Sequence, residues 1–436
     1  MNKSDSERVR TVIEGMGYVW TDDEEEAGLL GVLACSVRQK SIDRVFSRIA
    51  KWNKWKNTRN LLTFVSGCVL PADREKFLKL FDFVFTMSEL PYLPDMIRQY
   101  GVVTQHAPGI KSQEAIKSFW MLRPTYFSDF EAYIPIQNGC DKFCTFCAVP
   151  YTRGREISRP SAEILDELDL LVKKGYKSIT LLGQNVNSYG LDRYGTELKF
   201  PGLLEKIGEY GRRSGHEFWT YFTSPHPRDM SDEVLEMMAK YDCLAKQVHL
   251  PLQSGDDKVL IRMNRKHSLA DYNRIVDSIR RIMPGATLFT DMIVGFTGET
   301  DEQFENSRRA MEKIGFNMAY IAQYSPRPGA ASSRWEDDIP MEVKKMRLHR
   351  LTEDLARYTL QYNKNLIGKR LRVLVNGYDR KPGYMSGITE GRIVVRFQAV
   401  DPVPAGSFVW LDITGAAPYS LEGDMVRETI NEPALS

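Results

Sequence analysis

Cys140, Cys144 and Cys147 stand at x3 and x2 spacing in one short stretch, Cys140-Asp-Lys-Phe-Cys-Thr-Phe-Cys147, just after a strand expected over 132–136. Thiolates this close in sequence converge on one metal centre. A closed structural zinc site asks for a fourth Cys or His. The sequence has no His between His106 and His216 and no further Cys before Cys243. Three thiolates instead fit an iron–sulfur cluster that leaves one iron open to a ligand from outside the protein. Cys35 and Cys68 each follow an apolar stretch. Taken alone, such cysteines fit packing better than metal ligation.

The elements that position these residues must come from a chain of 436 residues, room for about two or three domains. Its 42% hydrophobic and 27% charged residues are those of a soluble globular protein. The start has no apolar h-region and no long uncharged apolar run follows, so neither secretion nor membrane spanning is expected. Six cysteines in such a length, three of them clustered, fit a reducing cytoplasm. A net charge of +2 selects no partner.

Residues 1–125 read as a small α/β domain. An opening helix runs through Arg8, Val9, Val12 and Ile13 to Gly15, and strands are expected at 28–34, 61–65 and 81–85. Short apolar strands between helices indicate an open parallel sheet. Cys35 and Cys68 then sit at strand C-terminal ends, where such sheets place their sites. Asp22–Glu26 reads as a solvated loop. Lys51–Lys56 reads as a helix face with snorkelling lysines, RNA contact being the alternative.

Residues 126–366 alternate regularly. Strands are expected at 132–136, 178–182, 217–222, 246–250, 287–293 and 317–323, with helices opening at Pro160 and covering 231–240, 269–282 and 301–314. Six sequential β/α units curl into a partial TIM barrel, so the loops at 183–188, 223–227, 251–256, 294–299 and 324–329 open beside the cysteine loop. Residues 341–372 read as a long helix passing into a linker, with nine Lys or Arg against three acidic residues. Two readings stand for it, a phosphate-contacting face or an amphipathic helix with a solvated side. In the tail, 367–430, strands at 371–376, 391–397 and 407–413, and one closing near Val426, indicate a small antiparallel β-barrel.

Over nearly its whole length the chain resembles the methylthiotransferases of the radical SAM superfamily, and within them the bacterial enzymes that act on isopentenyladenosine in tRNA. The resemblance rests on Met1–Glu7, Cys35-Ser-Val-Arg38, Asp141–Cys147, Pro150-Tyr-Thr-Arg-Gly154, Gly183-Gln-Asn-Val-Asn-Ser-Tyr-Gly190, His249-Leu-Pro-Leu-Gln-Ser-Gly255 and Tyr324-Ser-Pro-Arg-Pro-Gly329. It implies two 4Fe–4S clusters, a SAM cluster on Cys140, Cys144 and Cys147 and an auxiliary one to which Cys35 and Cys68 correspond. It also implies that one S-adenosylmethionine gives a methyl group and another is cleaved to a 5′-deoxyadenosyl radical. That radical takes hydrogen from carbon 2 of the modified adenine beside the anticodon, and a methylthio group replaces it. Such chemistry belongs to a cofactor rather than to a side chain.

By strand-end position and resemblance together, the SAM-contacting candidates are Gly183, Gln184, Asn185, Ser224, Gln253 and Ser254. The tail resembles the TRAM domain, an RNA-binding barrel. The implied partners are the tRNA anticodon stem–loop, SAM, an electron-donor protein and a sulfur source, for a monomeric cytoplasmic enzyme.

The departures are specific. Family members usually begin with a strand ending in Gly-Cys-Gln before the segment matching Met1-Asn2. That strand and its cysteine, the third auxiliary ligand, are not in this sequence. The resemblance then implies either a start upstream of Met1 or an incomplete auxiliary site. Ala34, Thr297 and Ile388 replace the usual Thr, Pro and Arg. Two alternatives remain: methylthiolation of a ribosomal-protein aspartate, or an RNA-binding iron–sulfur protein without the complete activity.

Overall fold

The computed structural model describes residues 1–35, 39–98, 112–399 and 401–426. Ser36–Arg38 of the second matching segment and 427–430 of the expected tail lie outside them.

The first helix, Asn2–Gly15, buries Val9 and Val12 and stops where Gly17 turns left-handed. Three strands follow, β1 (Leu29–Cys35), β2 (Leu62–Cys68) and β3 (Phe83–Val84), in a parallel sheet of order β1-β2-β3. Alternate residues serve opposite faces. Phe64 and Phe83 pack towards the first helix, while Val65 and Val84 pack towards the Gln39–Trp55 helix. Cys35 and Cys68 are register partners at the two strand ends, as expected. Gly67 makes that pairing possible: at φ +96° it lies so close to β1 that a Cβ would meet the Ala34 carbonyl oxygen at 2.6 Å.

Eight strands form the central region: β4 (Glu131–Pro135), β5 (Gln137–Asn138), β6 (Ile157–Ser158), β7 (Ser178–Leu182), β8 (Trp219–Phe222), β9 (Gln247–His249), β10 (Thr287–Val294) and β11 (Met318–Gln323). β4-β7-β8 and β9-β10-β11 are parallel sheets, and a parallel bridge from Thr220 to Leu244 links them. Helices Ser161–Lys173, Phe200–Ser214, Asp232–Lys240, Leu269–Ile282, Asp301–Ile314 and Met341–Lys364 follow these strands in turn. Ile179, Leu181, Val248, Leu288 and Ala319 bury against those helices in the main core. By alternation, Tyr133, Thr180, His249, Asp291 and Tyr320 lie on the other face. Among the described residues no helix is long and apolar enough to cross a membrane.

The tail closes a five-stranded barrel of β12 (Arg370–Tyr378), β13 (Met385–Thr389), β14 (Val394–Gln398), β15 (Phe408–Ala417) and β16 (Ser420–Met425), ordered β12-β13-β14-β16-β15. It is not wholly antiparallel, because β14 and β16 run parallel. The chain crosses after β14 to pair β15 with β12, and the tight β15–β16 hairpin returns β16 along β14 in the same direction. The Val426 amide still bonds the Trp410 carbonyl just past the last strand.

Part of the basic helix's charge is taken up within the fold. Lys344 and Arg347 are buried. Lys344 pairs with Asp337, and Arg347 reaches Glu299 at 2.8 Å and Asp301 at 2.7 Å. Lys345, Arg350 and Arg357 pair with the helix's own acids.

The tail barrel docks at the N-terminal ends of the central strands, away from the strand ends that carry the cysteine loop. Trp219 packs on Phe408 at 4.7 Å, and Arg372 pairs with Glu217 at 2.6 Å. The β13–β14 turn inserts. Thr287 Oγ1 donates to the Gly391 carbonyl at 2.8 Å, and Arg392 Nη2 donates to Thr180 Oγ1 at 2.9 Å with its guanidinium 4.0 Å over the Tyr221 ring.

Candidate metal centre

The cysteine loop leaves the end of β4 and is closed at its base by antiparallel β5 and β6. Gly139, at φ +82°, is required there, since a Cβ would lie 2.0 Å from the Arg155 carbonyl oxygen. The Cys140 amide donates to the Gly154 carbonyl at 3.1 Å and the Cys147 amide to that of Cys144 at 3.0 Å. Phe143, a non-glycine residue at φ +48°, is pinned by Asn264 Nδ2 donating to its carbonyl at 2.9 Å. Thr145 bonds the Met263 and Arg262 carbonyls. The loop is thereby fixed to the segment after β9 before any ligand arrives.

Cys140 and Cys144 are buried and Cys147 is half-buried. Burial pushes the Cys140 thiol up to about 12 and the Cys147 thiol to about 11, with the neighbouring sulfurs adding to it. Thiols so raised are poor ligands until a metal displaces their protons. Arg265 Nη1 donates to Cys144 Sγ at 3.4 Å, and its Nη2 donates to the Pro251 carbonyl at 2.7 Å. Among the described residues, no three Cys, His, Asp or Glu side chains close on a point that would hold a single metal ion.

Polar side chains surround the loop. Gln184 Oε1 accepts from the Gly139 amide. Asn185 Nδ2 donates to Glu156 Oε1 at 3.3 Å and to Asp229 Oδ2 at 3.0 Å, and Lys142 pairs with Asp229. The buried atoms here without a partner among the described residues include Gln184 Nε2, Asn185 Oδ1, His226 Nε2, Arg265 Nε and His267 Nε2. Buried polar atoms are ordinarily satisfied, so a cluster of such atoms beside three thiols is where a polar ligand would fit. Burial, followed by the Arg265 charge, holds His226 well below the usual imidazole range and His267 at about 4. Both rings are therefore neutral near pH 7.

The predicted residues divide. Gly183, Gln184 and Asn185 follow β7 beside the cysteine loop. Ser224, after β8, and Gln253, after β9, both take left-handed backbone (φ +59° and +76°). Gln253 is locked to β10 through its amide and carbonyl. Ser254 is fully buried with its hydroxyl 3.3 Å from that of Ser307, turned towards the Asp301–Ile314 helix. Arg265, Glu156, His226 and His267 were not singled out by sequence. The only local signal for Arg265 is its setting, between Asn264 and Lys266 at φ +57° and +58°.

The second pair, Cys35 and Cys68, lies across β1 and β2. Arg153 Nε, at the end of the short helix after the cysteine loop, donates to Cys68 Sγ at 2.9 Å, while its Nη2 meets Asp5 Oδ2 at 2.7 Å. Burial raises the Cys68 thiol and Arg153 opposes the rise. The Arg153 contact thus places Cys68 beside the short helix that follows Cys147.

Residues 134–311 match the family described as the Radical SAM superfamily, and residues 1–87 match "Uncharacterized protein family UPF0004". The first match contains Cys140, Cys144 and Cys147, and the second contains Cys35 and Cys68. The chain is 37% identical over 435 residues to the tRNA-2-methylthio-N(6)-dimethylallyladenosine synthase of Chromohalobacter salexigens, covering 98% of this chain and 96% of the relative. It is 37% identical over 440 residues to the synthase of the same name from Dictyoglomus thermophilum, with 98% and 97% covered. Among solved structures, the radical S-adenosylmethionine methyltransferase TsrM of Kitasatospora setae superposes with a TM-score of 0.51 at 13% identity, covering 90% of this chain and 72% of that one. At that identity the likeness is one of fold.

Proposed function

The chain belongs to the family of the tRNA-2-methylthio-N(6)-dimethylallyladenosine synthases, and we propose that it places a methylthio group on carbon 2 of isopentenyladenosine beside the tRNA anticodon. It is a radical SAM methylthiotransferase. The observation that carries the reading is the Cys140–Cys144–Cys147 loop, set at the strand ends beside a group of buried polar atoms without partners. The donor set fits: three soft thiols for a 4Fe–4S cluster, with one iron left for SAM.

With cluster and SAM bound, the site supplies one-electron cleavage of SAM and hydrogen removal from the base. The chain's own residues bind and orient. Gln184 Nε2 offers a free donor and Asn185 Oδ1 a free acceptor, a matched pair for the carboxylate and ammonium of an amino acid. Gly183 lets the loop pack closely on Val186 and Gln137, where a Cβ would come within 3.0 and 3.2 Å, and Ser224, Gln253 and Ser254 belong to the same strand-end loops. Arg265 donates towards the Cys144 sulfur, and hydrogen bonds to ligating sulfurs tune a cluster's potential.

Cys35 and Cys68 are the chain's ligands for a second 4Fe–4S cluster. The central strands, in this reading, form a six-unit partial TIM barrel in a radical SAM domain at 126–366. It follows a methylthiotransferase domain at 1–125 and precedes a TRAM-like barrel at 367–430, whose order with one parallel pair resembles small Greek-key RNA-binding barrels. An electron-donor protein and a sulfur source complete the reaction of a cytoplasmic monomer.

Anaerobically reconstituted protein given SAM and a reductant should release 5′-deoxyadenosine, and Ala at Cys140, Cys144 or Cys147 should abolish the release. Iron binding without any release would contradict the reading, and release retained in a variant would remove that ligand.

A further inference from the structure

On the face of the central strands away from the helices, three side chains outside the metal centre stand together. His249 ends β9, Asp291 is in β10, and Tyr320, opposite Asp291 in register, is in β11. His249 Nε2 and Asp291 Oδ2 are 2.9 Å apart, and the His249 and Tyr320 rings are 5.5 Å apart at 46°. The dyad is half-buried, and Tyr320 is 51% exposed. In the neutral imidazole, the tautomer that donates its Nε2–H to Asp291 leaves Nδ1 an acceptor. Among the described residues no group takes up that Nδ1. The core of the fold therefore presents a free aromatic face beside an oriented acceptor, the pair of features that holds an unpaired base in RNA recognition.

We infer that His249, Asp291 and Tyr320 form the seat of the target purine, an inference that rests on the tRNA-modifying function proposed above. Tyr320 stacks on the ring, His249 Nδ1 accepts from the purine's exocyclic N6–H, and Asp291 holds the imidazole in that tautomer. All three are positioning residues. The seat is coupled to the metal centre by a short path. His249 is followed by Leu250 and Pro251, the Pro251 carbonyl accepts from Arg265, and Arg265 donates to Cys144. Gln184 and Asn185 are matched above to the amino and carboxylate groups of SAM, and the SAM titration below separates SAM's own adenine from the RNA base as the occupant.

The test uses reconstituted holoenzyme, wild type and the H249A, Y320A and Y320F variants. Each is titrated with anticodon stem–loop RNA carrying isopentenyladenosine, with the same RNA abasic at that position, and with SAM. H249A and Y320A should lose roughly tenfold or more in affinity for the base-bearing RNA, the scale of one stacked base. Their affinity for abasic RNA and for SAM should not change, and Y320F should match wild type. No loss on the base-bearing RNA, an equal loss on the abasic RNA, or weakened SAM binding would overturn the seat. H249A and Y320A variants that methylthiolate the RNA as wild type does would overturn the seat alone. Wild-type protein that modifies no RNA would overturn the function and the seat together.

Discussion

Arg153 Nε donates to Cys68 Sγ at 2.9 Å, joining the helix after one cysteine group to the strand end that carries the other. The same guanidinium meets Asp5 Oδ2 at 2.7 Å, with both side chains almost wholly buried. One residue thus orders the boundary between the N-terminal sheet and the cysteine loop, and it does so by charge as well as by packing.

Removing it should be costly. R153A removes the guanidinium that pairs with the buried Asp5 carboxylate, a loss of about 3–5 kcal/mol. R153K, which keeps the charge but not the planar fork, should fall between. Urea unfolding reads both. In metal-free R153A the Cys68 thiol, no longer opposed by the guanidinium, should titrate higher and alkylate more slowly. Unchanged midpoints and rates would show the contact to be incidental.

A second buried pair gives a pH signature. Burial raises Glu299 above its usual 4.5, and Arg347 pulls it down. A carboxyl with a raised folded pKa binds more protons folded than unfolded, so stability falls as pH climbs from the unfolded value through the folded one. In R347M that folded pKa rises further. The variant should therefore be destabilised most at neutral pH and recover partly in mild acid, and E299Q should relieve the neutral-pH deficit. Urea midpoints across pH check this, and a pH-independent deficit would contradict it.

Arg392 holds the tail barrel to the central strands through Thr180 and the Tyr221 ring. A desolvated cation–π contact of this kind is worth about 2 kcal/mol. R392A should raise hydrogen exchange along β7 and β8 and in the β13–β14 turn while leaving the barrel itself folded. Unaltered exchange would place the docking energy elsewhere, in Trp219 and Phe408.

Iron content separates the two cysteine groups. Wild-type protein should bind about eight irons per chain and C35A/C68A about four, as expected for two 4Fe–4S clusters and then one. About four in both would confine the chain to the SAM cluster.

Much of this was legible in sequence because local patterns carried it. The Leu269–Ile282 and Asp301–Ile314 helices begin after Ser268 and Thr300 capping boxes and show clear helical periodicity, so their limits match expectation. The Phe200–Ser214 helix escaped notice because three glycines blur its pattern. Two of them are packing devices, Gly208 lying under the Tyr241 ring and Gly211 against Cys243, where a Cβ would come within 2.2 and 2.4 Å. The parallel β14–β16 pairing depends on a crossing connection that no local signal reports. In the site, the cysteines announce themselves by type and spacing, and the Gly183–Asn185 loop by strand-end position and resemblance. Arg265 and the His249–Asp291 dyad do not, since each acquires its role from a partner distant in sequence.

The most direct measurement is mass spectrometry of nucleosides from anticodon stem–loop RNA carrying isopentenyladenosine, after incubation with reconstituted protein, SAM and reductant. The account predicts a nucleoside in which one methylthio group has replaced the hydrogen on carbon 2, formed alongside 5′-deoxyadenosine. An unchanged nucleoside while 5′-deoxyadenosine accumulates would contradict it.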